Sequence, residues 1–335
     1  PAIVSLSAYY LHALVFGIIP LGFAVVMEQF LIGIGKTKLV LFVSLMEVPM
    51  EIFFCYVLIF GKFGFPRLGI AGLAYGFAIV FIIVTVILWA ITHYGNHCRQ
   101  YHIFSHVKEF HWKYIKELFR VGAPIGTMYI IEVGFYMIMS FLMGHFGVEK
   151  LAAQQIVQQF SGLSFMIIYA VSQAASVQVG HAVGRNDLKG LKRAAFASQG
   201  LAIFILLLVS IAYWVLPVTL MRLDIDVTLA SNQMIIHYAV IFFAIMAVAQ
   251  LGDTCRFIVI GILRGLKDTK IPLYVSVLVF WAVALPLDYL LAFRWEFEGA
   301  GLWWGVSIGI IIGAAILWGR FFKIINKIDL KSLLI

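Results

Sequence analysis

Five stretches of this chain, 68–92, 151–180, 194–221, 227–252 and 299–319, run for twenty residues or more without an Asp, Glu, Lys or Arg. A helix needs ~20 apolar residues to cross the ~30 Å hydrocarbon layer of a bilayer. Four further stretches, 6–33, 39–60, 120–144 and 271–292, are as long and are interrupted by only a few charges. Lipid offers no partners to backbone amides and carbonyls, so each span must satisfy its own hydrogen bonds as a helix. Composition agrees: 63% of the residues are hydrophobic and 12% charged, more apolar surface than a soluble core of 335 residues can hide. The expectation is an all-α polytopic membrane protein with nine transmembrane helices.

The formal net charge of +8 could be read as a nucleic-acid footprint, but the basic residues alternate loop by loop. One set of alternate loops plus the tail holds eighteen: Lys36, Lys38, Arg99, Lys108, Lys113, Lys116, Arg120, Arg185, Lys189, Lys192, Arg193, Arg264, Lys267, Lys270, Arg320, Lys323, Lys327 and Lys331. The other set holds five, Lys62, Arg67, Lys150, Arg222 and Arg294, and Arg256 falls inside a span. The positive-inside rule puts the first set, and with it the C-terminus, in the cytoplasm. Membrane lipid is the expected partner, and no nucleic acid is required. Cys55, Cys98 and Cys255 are scattered and form no disulfide framework. The sequence opens on Pro1 and apolar residues, with no charged n-region of a signal peptide.

Two portions of the chain resemble each other. Leu31-Ile32-Gly33 through Thr37-Lys38 matches Leu263-Arg264-Gly265 through Thr269-Lys270; Pro49-Met50-Glu51 matches Pro286-Leu287-Asp288; and Ala71-Gly72-Leu73 with Gly76 matches Ala300-Gly301-Leu302 with Gly305. The order is preserved, so the first three spans pair with the last three as a parallel repeat, an architecture known in transporters. Spans four to six then lack counterparts, which implies three further helices upstream in a twelve-helix protein. The predicted organisation is 1–95 as the second half of an N-terminal lobe, 96–117 as a cytoplasmic linker, 118–323 as a six-helix C-terminal lobe, and 324–335 as a cytoplasmic tail.

Ionisable groups inside spans cost several kcal/mol unless paired or hydrated, so they are the functional candidates. Six acids qualify: Glu28, Glu47, Glu51, Glu132, Asp253 and Asp288. Glu28 and Glu47 lie near the cytoplasmic ends and are expected to snorkel to the headgroups. Glu51 and Asp288 each follow a helix-bending proline by two residues and either line a polar pocket or sit hydrated near the outer interface. Gln154, Gln155, Gln158 and Gln159 open a long apolar helix, where they serve either a wet cavity or helix packing.

That helix carries the most specific pattern in the chain. It begins Ala152-Ala153-Gln154-Gln155 and ends Val179-Gly180-His181-Ala182-Val183-Gly184-Arg185-Asn186-Asp187. With Gly122-Ala123-Pro124 ahead of Glu132, and Asp253 ahead of Leu263-Arg264-Gly265, the sequence resembles the MATE (multidrug and toxic compound extrusion) transporters of the NorM type. The resemblance implies a two-lobe helical bundle, of which this sequence carries the latter half of the first lobe and all of the second. It also implies a secondary-active multidrug exporter in a bacterial inner membrane, a monomer that exchanges small organic cations for H⁺ or Na⁺.

By the same resemblance, Glu132 and Asp253 share the second-lobe cavity and bind the coupling ion and the cationic substrate in turn. Two carboxylates in a low-dielectric site repel, so the pair holds a proton or recruits a cation. The alternative is that both merely fix helix packing. Gln155 and Gln159, with Glu51 and Asp288, are candidates for the substrate path. Arg256 departs from the family, which usually has Gln there; at i,i+3 it faces Asp253 and can stand where a cation would bind. Ala249 likewise replaces a common Tyr.

Other classes fare worse. His93, His97, His102, His106 and His111 with Cys98 have some helical spacing, but they lie among lysines at a cytoplasmic interface, and no metal site is expected. Turns at 180–187 and 265–270 lack a phosphate-loop pattern, and no H-E-x-x-H or G-x-S-x-G occurs, so neither an ATP engine, a cofactor nor an enzyme is expected. Two alternatives stay open: a lipid-linked oligosaccharide flippase of the same superfamily, which would need a cationic cavity, and a nonfunctional truncated remnant.

Overall fold

The computed structural model describes residues 2–95, 98, 101 and 111–326. Among them are nine helices long and apolar enough to cross a bilayer. They are α1 (Ala2–Gly33), α2 (Thr37–Phe60), α3 (Ile70–Tyr94), α4 (Trp112–Gly144), α5 (Val148–Gly184), α6 (Leu188–Val215), α7 (Gln233–Gly265), α8 (Lys270–Arg294) and α9 (Glu298–Ile325). A short helix, Pro217–Met221, follows α6. The chain divides into two compact units, 1–111 and 112–335. His97, His102, His106 and most of the linker and tail lie outside the described residues; the described ones hold no cluster of His, Cys, Asp or Glu that could bind a metal.

In the first unit α3 packs against both α1 and α2, which touch each other far less. The close approach of α2 and α3 depends on glycine. A Cβ on Gly72 would stand 2.6 Å from the Leu58 carbonyl, and one on Gly76 would stand 2.8 Å from Cys55 Sγ. Glu28, Glu47 and Glu51 are half-buried and line no described cavity.

In the second unit α7 is the hub, packed on α5, α6 and α9, while α8 lies between α9 and α4. The α5–α7 seam is built backbone to backbone. Ser172 Oγ donates to the Phe257 carbonyl at 2.8 Å, and a Cβ on Gly261 or Gly265 would fall 2.3 or 2.6 Å from the carbonyls of Ser172 and Ser176. Asp187 caps α6 by accepting from the Gly190 amide at 2.8 Å, the usual satisfaction of an orphan donor at a helix start.

α8 is not a plain α-helix. Leu278–Ala284 and Leu290–Arg294 are π-helical, and one α-turn, Leu285–Tyr289, lies between them. This corrects the pairing of the repeat. Gly301 and Gly305 of α9 press on Leu291–Ala292 and on Asp288, as Gly72 and Gly76 press on Leu58–Ile59 and on Cys55. Asp288 therefore stands where the first unit has Cys55, one helical turn from Glu51. The wider π-turn takes up an extra residue and shifts the register, which the matching prolines conceal.

Candidate functional site

Glu132 lies mid-way along α4, two turns beyond Pro124, and Asp253 and Arg256 lie on one face of α7. The fold brings all three together. Arg256 Nη1 donates to Glu132 Oε1 at 2.7 Å, and Nε donates to Asp253 Oδ1 at 2.8 Å. Nη2 also reaches Asp253 Oδ1 at 2.8 Å and Glu132 Oε2 at 3.5 Å. Ser276 Oγ of α8 donates to Glu132 Oε1 at 3.3 Å. The guanidinium is 2% exposed and is covered by aromatic rings, with Cζ 4.7 Å from the Phe257 centroid and 5.1 Å from that of Phe280. Its face is thus spent on rings and its edge on carboxylates, the arrangement for which a planar guanidinium is suited.

This triad borders a cavity of about 330 Å³ inside the second unit, the size that holds a small molecule. Tyr129, Tyr136, Phe165, Phe257 and Trp303 supply aromatic wall, and Gln158 and Gln250 supply amides. Gln250 Oε1 and Trp303 Nε1 are buried without a hydrogen-bond partner among the described residues. Asp253 is the most accessible of the three charged groups, its side chain 16% exposed. Two carboxylates and one guanidinium leave the triad with one formal negative charge.

The structure sorts the remaining candidates. Of the four glutamines near the start of α5, Gln158 lines the cavity; Gln155 and Gln159 are exposed outside its wall, and Gln154 is buried and donates to Ser140 Oγ at 3.0 Å. Gln158, and not Gln155 or Gln159, lines this cavity, because α5 turns the 154/158 face inward. Glu51, in the first unit, does not line this cavity. Asp288 does not line the cavity either: it is fully buried in the α8–α9 seam. Ser276, Gln250, Tyr136 and Trp303 complete the site without any motif in the sequence to mark them.

Comparison with known proteins fixes the class. The sequence model of the MatE family matches residues 1–57 and 124–290. The chain is 31% identical over 329 residues to a probable multidrug resistance protein NorM of Rhizobium meliloti, covering 98% of this chain and 70% of that protein. It is 32% identical over 327 residues to the protein of the same name from Agrobacterium fabrum, with the same coverage. Among solved structures, a mutant of the Vibrio cholerae MATE transporter VcmN superposes with a TM-score of 0.83 at 17% identity, over 96% of this chain and 69% of that one. A eukaryotic MATE transporter, AtDTX14, superposes with a TM-score of 0.77 at 19% identity, over 92% and 66%. The fold is that of a helical, multi-pass membrane transporter. The chain belongs to the MatE family and spans about 70% of the length of the curated relatives it matches.

Proposed function

We propose that this protein exports organic cations by exchange for a proton, in a bacterial inner membrane with its C-terminus in the cytoplasm. One observation carries the reading: the aromatic-walled cavity closes on Glu132, Arg256 and Asp253, whose charges sum to a single negative one. A monovalent organic cation matches that charge, and the rings favour it by cation–π attraction. The relatives named for multidrug resistance support the same substrate class. A pyrophosphate-linked lipid fits poorly, because the cavity's one cation already serves two acids.

The preference for H⁺ over Na⁺ follows from which oxygens are free. Both oxygens of Glu132 and Oδ1 of Asp253 face the guanidinium. Asp253 Oδ2 is left open. A hard metal cation wants several oxygen ligands at once, whereas a proton needs one. Protonation at Asp253 cancels the charge that holds the cargo, so proton and cargo exclude each other. Neither requires a cofactor.

The test is dye efflux in a host lacking its own pumps. Expression should lower accumulation of an ethidium-like cation, and collapse of the proton gradient should restore it. Accumulation unchanged by expression would overturn the export reading; efflux driven by Na⁺ alone would overturn the proton assignment.

A further inference from the structure

Asp288 has no place in the mechanism above, yet it is the most completely buried acid among the described residues, at 0% exposure. Both of its carboxyl oxygens lack a hydrogen-bond partner among those residues, although the Val306 backbone comes near. Such a group costs free energy that a stable fold does not spend idly.

Packing does not require it. At the equivalent point of the first unit Cys55 makes the same close contact with a glycine, Gly76, and donates its thiol to the Leu73 carbonyl at 3.7 Å. The seam thus needs a small side chain, and a carboxyl is surplus to that need. A closed metal site does not suit the place either, since among the described residues Asp288 belongs to no group of three or more His, Cys, Asp or Glu.

We propose that Asp288 is a proton-binding site of the second unit, separate from the Glu132–Arg256–Asp253 cavity. The groups around it leave a proton as the one cation that fits. α9 offers the Gly305 backbone, pressed so close that a Cβ there would stand 2.1 Å from Asp288 Oδ1. α4 offers Tyr136, and α8 itself carries Tyr289, which is exposed, and Arg294 at its end. Tyr136 lies within electrostatic reach of Asp288 and also of Asp253, Arg256 and Glu132. A proton gained or lost at Asp288 therefore alters the field at the cavity wall. The π-helical turns on both sides supply the means of access, because a π-turn can re-register its hydrogen bonds and such turns concentrate at functional sites. The proton adds to one carboxyl oxygen from water and returns to water; no other bond changes.

Infrared spectroscopy of the full chain in lipid nanodiscs, with ¹³C-carboxyl aspartate, tests this. Asp253 and Asp288 are the two aspartates within spans, and Asp253 is ion-paired. The labelled protein should show a protonated-carboxyl band at neutral pH that shifts in D₂O and disappears reversibly in alkali. The band should persist in Asp253→Asn and vanish in Asp288→Asn; if the latter does not fold, the Asp253→Asn spectrum decides alone. A missing band at neutral pH would overturn the proposal. So would a band that ignores both D₂O and alkali, which marks a sealed structural acid.

Discussion

Arg256 Nη1 stands 2.7 Å from Glu132 Oε1, across 124 residues of sequence and between two helices that make little other contact at that level. The pair is buried on both sides, so its two members depend on each other. Removing one partner of a buried pair costs ~3–5 kcal/mol, because the other is left charged and unpaired.

Glu132→Gln and Arg256→Gln should therefore each destabilise the second unit by about 3 kcal/mol, while the double variant should lose clearly less than the sum. Chemical denaturation in detergent, read by tryptophan fluorescence, gives the cycle. Strict additivity would show that the two groups do not interact.

Arg256→Gln should also change the ion. With the guanidinium gone, the oxygens of Glu132 and Asp253 that it engages are free to ligate a metal cation. Efflux by the unaltered protein should be the same in Na⁺ and K⁺ media, and efflux by the variant should acquire a several-fold dependence on Na⁺. Identical responses in both proteins would remove the ion-selecting role from Arg256.

Gly305→Ala probes the seam that holds Asp288. A Cβ there would stand 2.1 Å from Asp288 Oδ1 and 2.6 Å from its amide nitrogen, whereas one on Gly319 would meet nothing within 4 Å. Overpacking of this kind costs ~1–3 kcal/mol. Thermal melting should fall for Gly305→Ala and stay level for Gly319→Ala.

A fourth expectation concerns the loop between α6 and α7. Asp226 Oδ1 accepts from the Thr228 hydroxyl at 2.6 Å and from the Thr228 amide at 2.9 Å. These bonds favour the carboxylate and hold Asp226 below its ordinary value. Because the folded value is the lower one, the turn gains its support above the ordinary carboxylate range and loses it as pH falls through the depressed value. Thr228→Val should raise the titration midpoint of Asp226 in ¹³C NMR; an unchanged midpoint would show that the hydroxyl does not matter.

The nine spans were legible because lipid imposes a length and a composition that few other environments do. Their ends were less so. The apolar stretch of the fourth span starts at 120, whereas α4 starts at Trp112, because Lys113, Lys116 and Glu117 extend the helix beyond the apolar layer. The uncharged run of the seventh span stops at 252, although α7 continues to Gly265, because Asp253 and Arg256 satisfy their charges within the fold. The meeting of Glu132 with Asp253 was visible through motif resemblance, and the Asp253–Arg256 contact through helical spacing. The choice between Gln155 and Gln158 was not, since four consecutive-face amides do not reveal which side of α5 faces inward. Nor were the π-turns of α8, which arise from packing against α9 and carry no residue signature.

The backbone-to-backbone seam of α5 and α7 bears on how this molecule can move. The Gly261 and Gly265 contacts leave no room for a side chain between these helices, so sliding one past the other would drive backbone against backbone. A hinge for the transport cycle fits α8 better, because its π-turns can re-register their hydrogen bonds where the α5–α7 seam offers no such freedom.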